Sequence, residues 1–148
     1  MDKLLPHDLE SEAYLLENSF CPGGIEKAAE IVSPQDFYSE GGQLIFAKMM
    51  KFHQSGRGFT LSMVDDTFRD DPAYEGISRI LDTLRPVTAE AVTHFAKIVK
   101  ELSDRRQVIK ATSEACEKLH DISTPLNEVV NFLNVEVCRL ATVGVDYE

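Results

Sequence analysis

The segment SPQDFYSEGGQLIFAKMMKF, residues 33–52, joins a turn, an aromatic pair and an apolar helix. Ser33 and Pro34 are typical of a helix start, because serine accepts hydrogen bonds from free backbone N–H groups and the fixed φ of proline suits the first helical position. Phe37 and Tyr38 follow one turn later. We therefore expect a short capped turn that presents its aromatic pair to the helix behind it, which is packing rather than chemistry.

Glycines and helical periodicity predict the remaining elements. Gly41 and Gly42 predict a break in the chain before an apolar helix over 43–54. Capping residues, prolines and apolar spacing predict further helical segments at 8–19, 25–32, 61–69, 77–84 and 88–120, and a last one that starts at Thr124-Pro125. No segment alternates apolar and polar residues for long enough to predict a strand. The sequence therefore predicts an all-α fold, a small globular helical head followed by an antiparallel two-helix hairpin.

The hairpin is expected because only Asp121-Ile122-Ser123 joins the last two helices. On the second of them, five apolar residues step by four and three positions, which is the spacing of a coiled-coil seam. We expect this seam to face the other helix and to hold the hairpin closed: Leu126, Val130, Leu133, Val137 and Leu140.

A second set of residues falls on the opposite side of the last helix, at about 100° per residue. It comprises Glu128, Phe132, Val135 and Arg139. A large aromatic on the outer face of a two-helix hairpin would lie in water unless something covers it, so we expect these four residues to bind a partner. The alternatives are that the helix packs back on the head, or that Phe132 is a tolerated exposed residue.

The charge of the chain argues against nucleic acid as its direct ligand. Fifteen basic and 25 acidic residues give a net charge of −10, which repels phosphate backbones. The best basic cluster is interpreted as a charge-paired helix surface, because acidic residues are interspersed with it; it consists of Lys97, Lys100, Arg105, Arg106 and Lys110. We expect no strong direct nucleic-acid binding.

The cysteine usage and the lack of long apolar runs also predict the cellular compartment of the protein. The three cysteines are far apart, with no Cys-x-x-Cys pair, which favours reduced thiols over disulfides or a zinc site. No apolar run approaches the ~20 residues of a membrane span, and no secretory signal follows Met1. We expect a cytoplasmic protein that does not bind membranes.

The sequence contains no residue pattern that predicts catalysis. There is no phosphate-binding loop, since Gly56-Arg57-Gly58 lacks the required lysine. The four histidines occur in separate segments, and adjacent carboxylates are more often solvated surface than a metal site. We expect no enzymatic activity, no cofactor and no metal in this chain.

Three segments resemble, in order and spacing, the N-terminal domain of bacterial replicative DNA helicases of the DnaB type. They are LPHDLESEAYLL at 5–16, AAEIVSPQDFYSEGGQLIFAKMMKFHQSG at 28–56 and HFAKIVKELSDRRQVIKATSEA at 94–115. The resemblance covers about residues 4–140. It implies an all-α domain in which Phe37 and Tyr38 belong to the core of the head.

The resemblance also implies a function, that of a non-catalytic collar domain in DNA replication. In such helicases these domains pair through their hairpins into a trimer of dimers on a hexameric ring, and they dock the C-terminal helicase-binding domain of primase. ATP and magnesium would belong to a motor domain that is absent here. The implied organisation is a head over 1–87, a hairpin over 88–141 and the start of a linker at 142–148. The alternative is a free-standing phage or plasmid adaptor of the same fold that engages host helicase or primase.

Overall fold

The chain is helical throughout the part that the computed structural model describes, residues 4–82 and 88–143. Those residues contain seven α-helices, one 3₁₀ turn and no strand, which confirms the predicted all-α class. The helices are α1 (Leu9–Ser19), α2 (Gly24–Ala29), α3 (Glu40–Gln54), α4 (Leu61–Phe68), α5 (Glu75–Leu81), α6 (Glu90–His120) and α7 (Leu126–Val143), and the 3₁₀ turn is Pro34–Asp36.

Helix α1 lies at the centre of the head. The carboxylate of Asp8 caps it by accepting a hydrogen bond from the backbone N–H of Ser11 at 3.1 Å. The hydrogen bond from the Ser11 hydroxyl and then this backbone bond lower the pKa of Asp8. Its apolar face is completely buried at Ala13, Leu15 and Leu16. Helices α2, α3, α5 and α6 all pack against α1, so this short helix organises the core.

The two glycines of the opening segment do not break the chain, contrary to the prediction. Helix α3 already begins at Glu40, and Gly41 and Gly42 lie in its first turn. A Cβ atom on Gly41 would stand 2.5 Å from the carbonyl oxygen of Ala73, and one on Gly42 would stand 2.9 Å from the ring of Phe37. The glycines are therefore needed for close packing of the helix start, where an added side chain would clash.

The aromatic pair of the opening segment is divided between core and surface. Phe37 is buried and packs on Phe46 of α3, with ring centroids 5.1 Å apart. Tyr38 instead lies at the surface, where its ring stacks on that of His7 at 3.9 Å. The expectation that both rings belong to the core is thus correct for Phe37 and wrong for Tyr38.

A buried arginine fastens the long helix α6 to the head. The guanidinium of Arg106 donates hydrogen bonds to the backbone carbonyl oxygens of Asp36, at 2.7 Å, and of Pro6, at 2.9 Å. The Asp36 carboxylate accepts hydrogen bonds from Ser103, at 2.7 Å, and from Lys100, at 3.3 Å. Three residues from successive turns of α6 therefore hold the 3₁₀ turn, and Arg106 also holds the N-terminal segment.

This network corrects the interpretation of the basic cluster as a helix surface. Arg106 is buried, and Lys100 is bonded to Asp36 and lies 3.7 Å from Asp104. Arg105 does lie at the surface, where it pairs with Glu101 at 2.9 Å, as the prediction of a charge-paired surface requires. Most of the positive charge that sequence alone suggested for a phosphate-binding patch is therefore engaged within the protein.

Helix α6 is a single helix that belongs to two parts of the structure. Its first half is core of the head, since Val92, Ala96 and Val99 are buried there. Beyond Arg106 the helix leaves the head and pairs with α7. The predicted boundaries of head, hairpin and linker remain predictions; residues 83–87 and 144–148 lie outside the described residues.

Neighbouring arginines test the anchoring of α6. Replacing Arg106 with alanine leaves the buried carbonyl oxygen of Asp36 and the partly buried one of Pro6 without this donor, so we expect the free energy of unfolding to fall by about 2–4 kcal/mol. Replacing Arg105, an exposed partner of Glu101, should change it by no more than about 0.5 kcal/mol. Urea denaturation of both variants measures the difference, and equal losses would contradict the assigned anchor.

Candidate partner-binding surface of the hairpin

Helices α6 and α7 run antiparallel, as the short connection between them predicts. The ammonium group of Lys118, near the end of α6, lies 4.2 Å from the ring centroid of Phe132, early in α7. The side chain of Arg139, late in α7, donates a hydrogen bond of 2.7 Å to Gln107, where α6 leaves the head. These two contacts fix the register of the hairpin at both of its ends.

Three of the five predicted seam residues point away from α6, which corrects their assignment, while Leu133 and Leu140 are half-buried. Leu126, Val130 and Val137 are 67, 47 and 64% exposed, whereas Val129, outside the predicted seam, is only 1% exposed. On α6 the buried side chains past the head are Ala111 and Ala115. Small residues there let Val129 approach closely, with Phe132 packed beside Ala111 and under Lys118.

The reason for the error is that α7 carries two rows with similar spacing. Steps of three and four residues occur along the predicted seam and also along Val129, Phe132 and Glu136. The first row is the more apolar, so its periodicity predicted the internal contact. The second row makes that contact through the buried Val129 and the half-buried Phe132, and Arg139 beside it donates a hydrogen bond to Gln107 of α6.

The exposed row continues across the hairpin into an apolar flank. Val108, Ile109 and Leu140 line one cavity, which shows that they share a side of the hairpin. Leu119, three turns beyond Val108, and the outward row of α7 extend the same side. We call this surface the apolar flank: Val108, Ile109, Leu119, Leu126, Val130, Leu133, Val137 and Leu140.

The other side of the hairpin is a polar flank. Gln107, Lys110 and Glu114 of α6 line a cavity there with residues of α7. All four predicted partner-binding residues belong to this flank: Glu128, Phe132, Val135 and Arg139. Phe132 is half-buried beneath Lys118 and Arg139 is bonded to Gln107, so only Glu128 and the 64% exposed Val135 extend freely outward.

At the base of the hairpin the apolar flank ends in a pocket that sequence reasoning missed. The pocket has a volume of about 620 Å³ and is lined by Pro6, Glu101, Asp104, Arg105, Val108, Ile109 and Leu140. Three separate parts of the sequence meet here because the bond from Arg106 to the carbonyl of Pro6 holds the N-terminal segment against α6. Nothing in the sequence near Pro6 indicates that contact.

Buried carboxylates of the head lie away from these flanks and are used in packing. Glu12 accepts hydrogen bonds from the backbone N–H groups of Tyr38, at 3.0 Å, and Ser39, at 3.2 Å. Burial raises the pKa of Glu12 despite these donors. Burial also raises the pKa of Glu17. Neither carboxylate opens on the cavities described above, so they do not form a reactive site there.

The described residues form neither a metal-binding cluster nor a membrane-spanning helix. Within 4–82 and 88–143 no group of three or more His, Cys, Asp or Glu side chains is placed to hold a metal ion. In that same part of the chain no helix is both long and apolar enough to cross a membrane.

The fold and this surface define an all-helical domain whose exposed apolar side chains are concentrated on a projecting hairpin. The model of the DnaB-like helicase N-terminal domain matches residues 4–101. The chain belongs to this family, which confirms the resemblance seen in its sequence.

Curated relatives and a solved structure agree with this assignment. The chain is 31% identical over 117 residues to the replicative DNA helicase DnaC of Bacillus subtilis and 32% identical over 120 residues to the replicative DNA helicase DnaB of Geobacillus stearothermophilus. These alignments cover 76 and 77% of the chain but 26% of each relative, so the chain spans about a quarter of their length. The N-terminal domain of Mycobacterium tuberculosis DnaB shares the fold, with a TM-score of 0.75 and 20% identity over 92% of this chain and 99% of that one.

Substitutions at two adjacent valines test which side of α7 packs against α6. Val129→Asp places a carboxylate in a buried position, so we expect it to lower the free energy of unfolding by about 2–3 kcal/mol. Val130→Asp places the same group at an exposed position and should change it by no more than about 0.5 kcal/mol. Denaturation followed by circular dichroism at submicromolar concentration, where self-association does not contribute, compares the two. A larger loss for Val130→Asp would restore the contact that was predicted from sequence.

Proposed function

We propose that this chain is the N-terminal collar domain of a replicative DNA helicase, which pairs with further copies through its hairpin and docks primase. The observation that carries the proposal is the exposed apolar row of α7 in a chain of this family. ATP hydrolysis and unwinding would belong to another part of a longer helicase chain, where ATP and magnesium would bind. The role of this domain is then assembly and docking.

Self-association is supported by the apolar flank. Leu126, Val130 and Val137 are 67, 47 and 64% exposed on one side of one helix, and contiguous exposed apolar groups mark interaction surfaces. Their spacing by four and three residues is the spacing that helices use to pack on each other. A second copy supplies a surface of the same kind, and homodimers with two-fold symmetry are the commonest soluble oligomers.

Primase docking is assigned to the polar flank, where Glu128, Phe132, Val135 and Arg139 lie. The flank combines charged side chains with one exposed aliphatic, Val135, and with the edge of the Phe132 ring. Such a mixture suits a transient partner better than a permanent one, since interfaces that form and dissociate are more polar than obligate ones. Two flanks of one hairpin would therefore serve two partners.

Substitutions at two valines of α7 test self-association and primase docking separately. Val135 and Val137 are both 64% exposed, so aspartate at either position should leave the monomer folded. We expect Val137→Asp to weaken self-association at least about tenfold, because it charges the apolar flank. Val135→Asp should leave self-association within about twofold and weaken capture of the helicase-binding domain of primase instead.

Sedimentation equilibrium and a primase binding assay measure the two effects. If Val135→Asp dissociates the chain and Val137→Asp does not, the polar flank is the surface between copies and the assignment of flanks is wrong. If neither variant changes the mass distribution of a self-associating chain, the hairpin is not the assembly surface.

A further inference from the structure

We propose that residues 144–148 of this chain bind in the pocket at the base of the hairpin, with Val145 and Tyr147 against its apolar floor. These five residues follow α7 directly and lie outside the described residues; we call them the post-α7 segment. The pocket is then filled from within the chain, so this contact does not require a second copy.

The end of α7 brings the post-α7 segment to the pocket. Leu140 lines the pocket, and α7 ends three residues later, at Val143, after a rise of about 4.5 Å. The hydrogen bond from Arg139 to Gln107 sets the register of the antiparallel pair, so the end of α7 lies level with residues 101–105 of α6. Those residues include one wall of the pocket. The chain therefore leaves α7 at the edge of the pocket.

The post-α7 segment is long enough to cross the pocket. From Glu101 to Ile109 the lining residues of α6 extend about 12 Å along the helix axis. Five residues span about 16 Å when they are extended. The first of the five is Gly144, and glycine adopts the backbone angles of a sharp reversal without steric cost. The segment can therefore fold back onto the pocket without unwinding α7.

Apolar and acidic side chains alternate along the post-α7 segment. In an extended chain Val145 and Tyr147 lie on one side, and Asp146 and Glu148 lie on the other. Alternation with a period of two is typical of an extended segment that buries one face. The apolar side can then contact the pocket while both carboxylates face water.

The pocket has the kind of lining that suits a tyrosine. Its volume of about 620 Å³ accommodates an aromatic ring together with a valine side chain. Its rim contains the carboxylates of Glu101 and Asp104, which can accept a hydrogen bond from the phenol of Tyr147, and a buried tyrosine usually has such a partner. The floor and one side are apolar: Pro6, Val108, Ile109 and Leu140.

The rim charges are compatible with an acidic segment. Glu101 pairs with Arg105 at 2.9 Å, and Asp104 lies 3.7 Å from Lys100, so each rim carboxylate has a cation beside it. Arg105 is exposed, and its guanidinium has further N–H donors for the carboxylates of the segment. Because the tether to α7 is short, the local concentration of the segment is high, and contacts too weak to hold a free peptide suffice.

Binding of the post-α7 segment would fix where the chain continues beyond this domain. This consequence rests on the proposed function, in which the residues that follow lead to the ATPase motor. With the segment bound, that connection starts at the junction of head and hairpin, beside Pro6, and its direction is set by the pocket. The segment would thus limit how far a motor could move relative to the collar.

A single tryptophan tests the position of the post-α7 segment. The chain contains no tryptophan, so Tyr147→Trp introduces one reporter and keeps an aromatic side chain. At submicromolar concentration we expect blue-shifted emission and quenching by acrylamide at least about threefold weaker than for a free tryptophan amide, because the ring is buried. Ile109→Asp in the pocket should abolish both effects, whereas Ile122→Asp, at a tip residue that is 98% exposed, should leave both unchanged.

Two results of the fluorescence measurement would overturn the inference. One is the emission of a fully exposed tryptophan in dilute solution, which would show that the segment is not bound. The other is a blue shift that appears only as the protein concentration rises, because a second copy would then cover the segment. If the tryptophan is buried in dilute solution but the chain never self-associates, the inference stands and the proposed self-association is wrong.

Thiol labelling gives a second measurement that avoids a charge in the pocket floor. The natural cysteines are first replaced: Cys21→Ser, Cys116→Ser and Cys138→Ser. In this full-length chain we expect Tyr147→Asp to speed maleimide labelling of Ile109→Cys at least about fivefold, because a carboxylate is costly to bury in the pocket. Labelling of the control Ile122→Cys should stay within about twofold. Equal labelling of Ile109→Cys with and without Tyr147→Asp would show that the segment does not cover the floor.

Discussion

The buried guanidinium of Arg106 connects the parts of this structure that would otherwise be independent. It donates to the carbonyl of Asp36 in the 3₁₀ turn and to that of Pro6 in the N-terminal segment, so α6 is fixed to the head at the point where it leaves it. The direction of the hairpin follows from this contact. The pocket at the base follows as well, because Pro6 forms one of its walls. An arginine suits the position since its planar fork can serve two acceptors at once.

Sequence predicted the helices well because their signals are local. The caps at Asp8 and Ser33, the prolines and the apolar spacing each act within one turn, and the elements that they predict are present in the structure. The packing around Gly41 and the hydrogen bonds of Arg106, by contrast, depend on atoms that are distant in sequence. Gly41 packs against Ala73, and Arg106 bonds to residues 70 and 100 positions away. Neither contact leaves a periodic pattern.

In the hairpin the apolar periodicity of α7 is predicted correctly, but the surface that this row contacts is not. The row from Leu126 to Leu140 has the spacing of a packed seam, and the structure leaves much of it exposed. Periodicity reports that a stripe is apolar, but it contains no information on whether the covering surface belongs to the same chain. Val129 makes the contact between α7 and α6 instead, because the small side chains of Ala111 and Ala115 leave room for it. The apolar row then remains exposed, on a chain whose net charge of −10 keeps like-charged copies apart in solution.

Thiol labelling would test most directly that this row faces outward and is covered by a second copy. In chains without the natural cysteines, Val130→Cys and Val129→Cys are each exposed to a maleimide over a range of protein concentrations. We expect fast labelling of Val130→Cys in dilute solution, protection of this cysteine that grows as the protein concentration rises, and protection of Val129→Cys at every concentration. Protection of Val130→Cys at every concentration would place the row inside the hairpin, and fast labelling at every concentration would show that no second copy covers it.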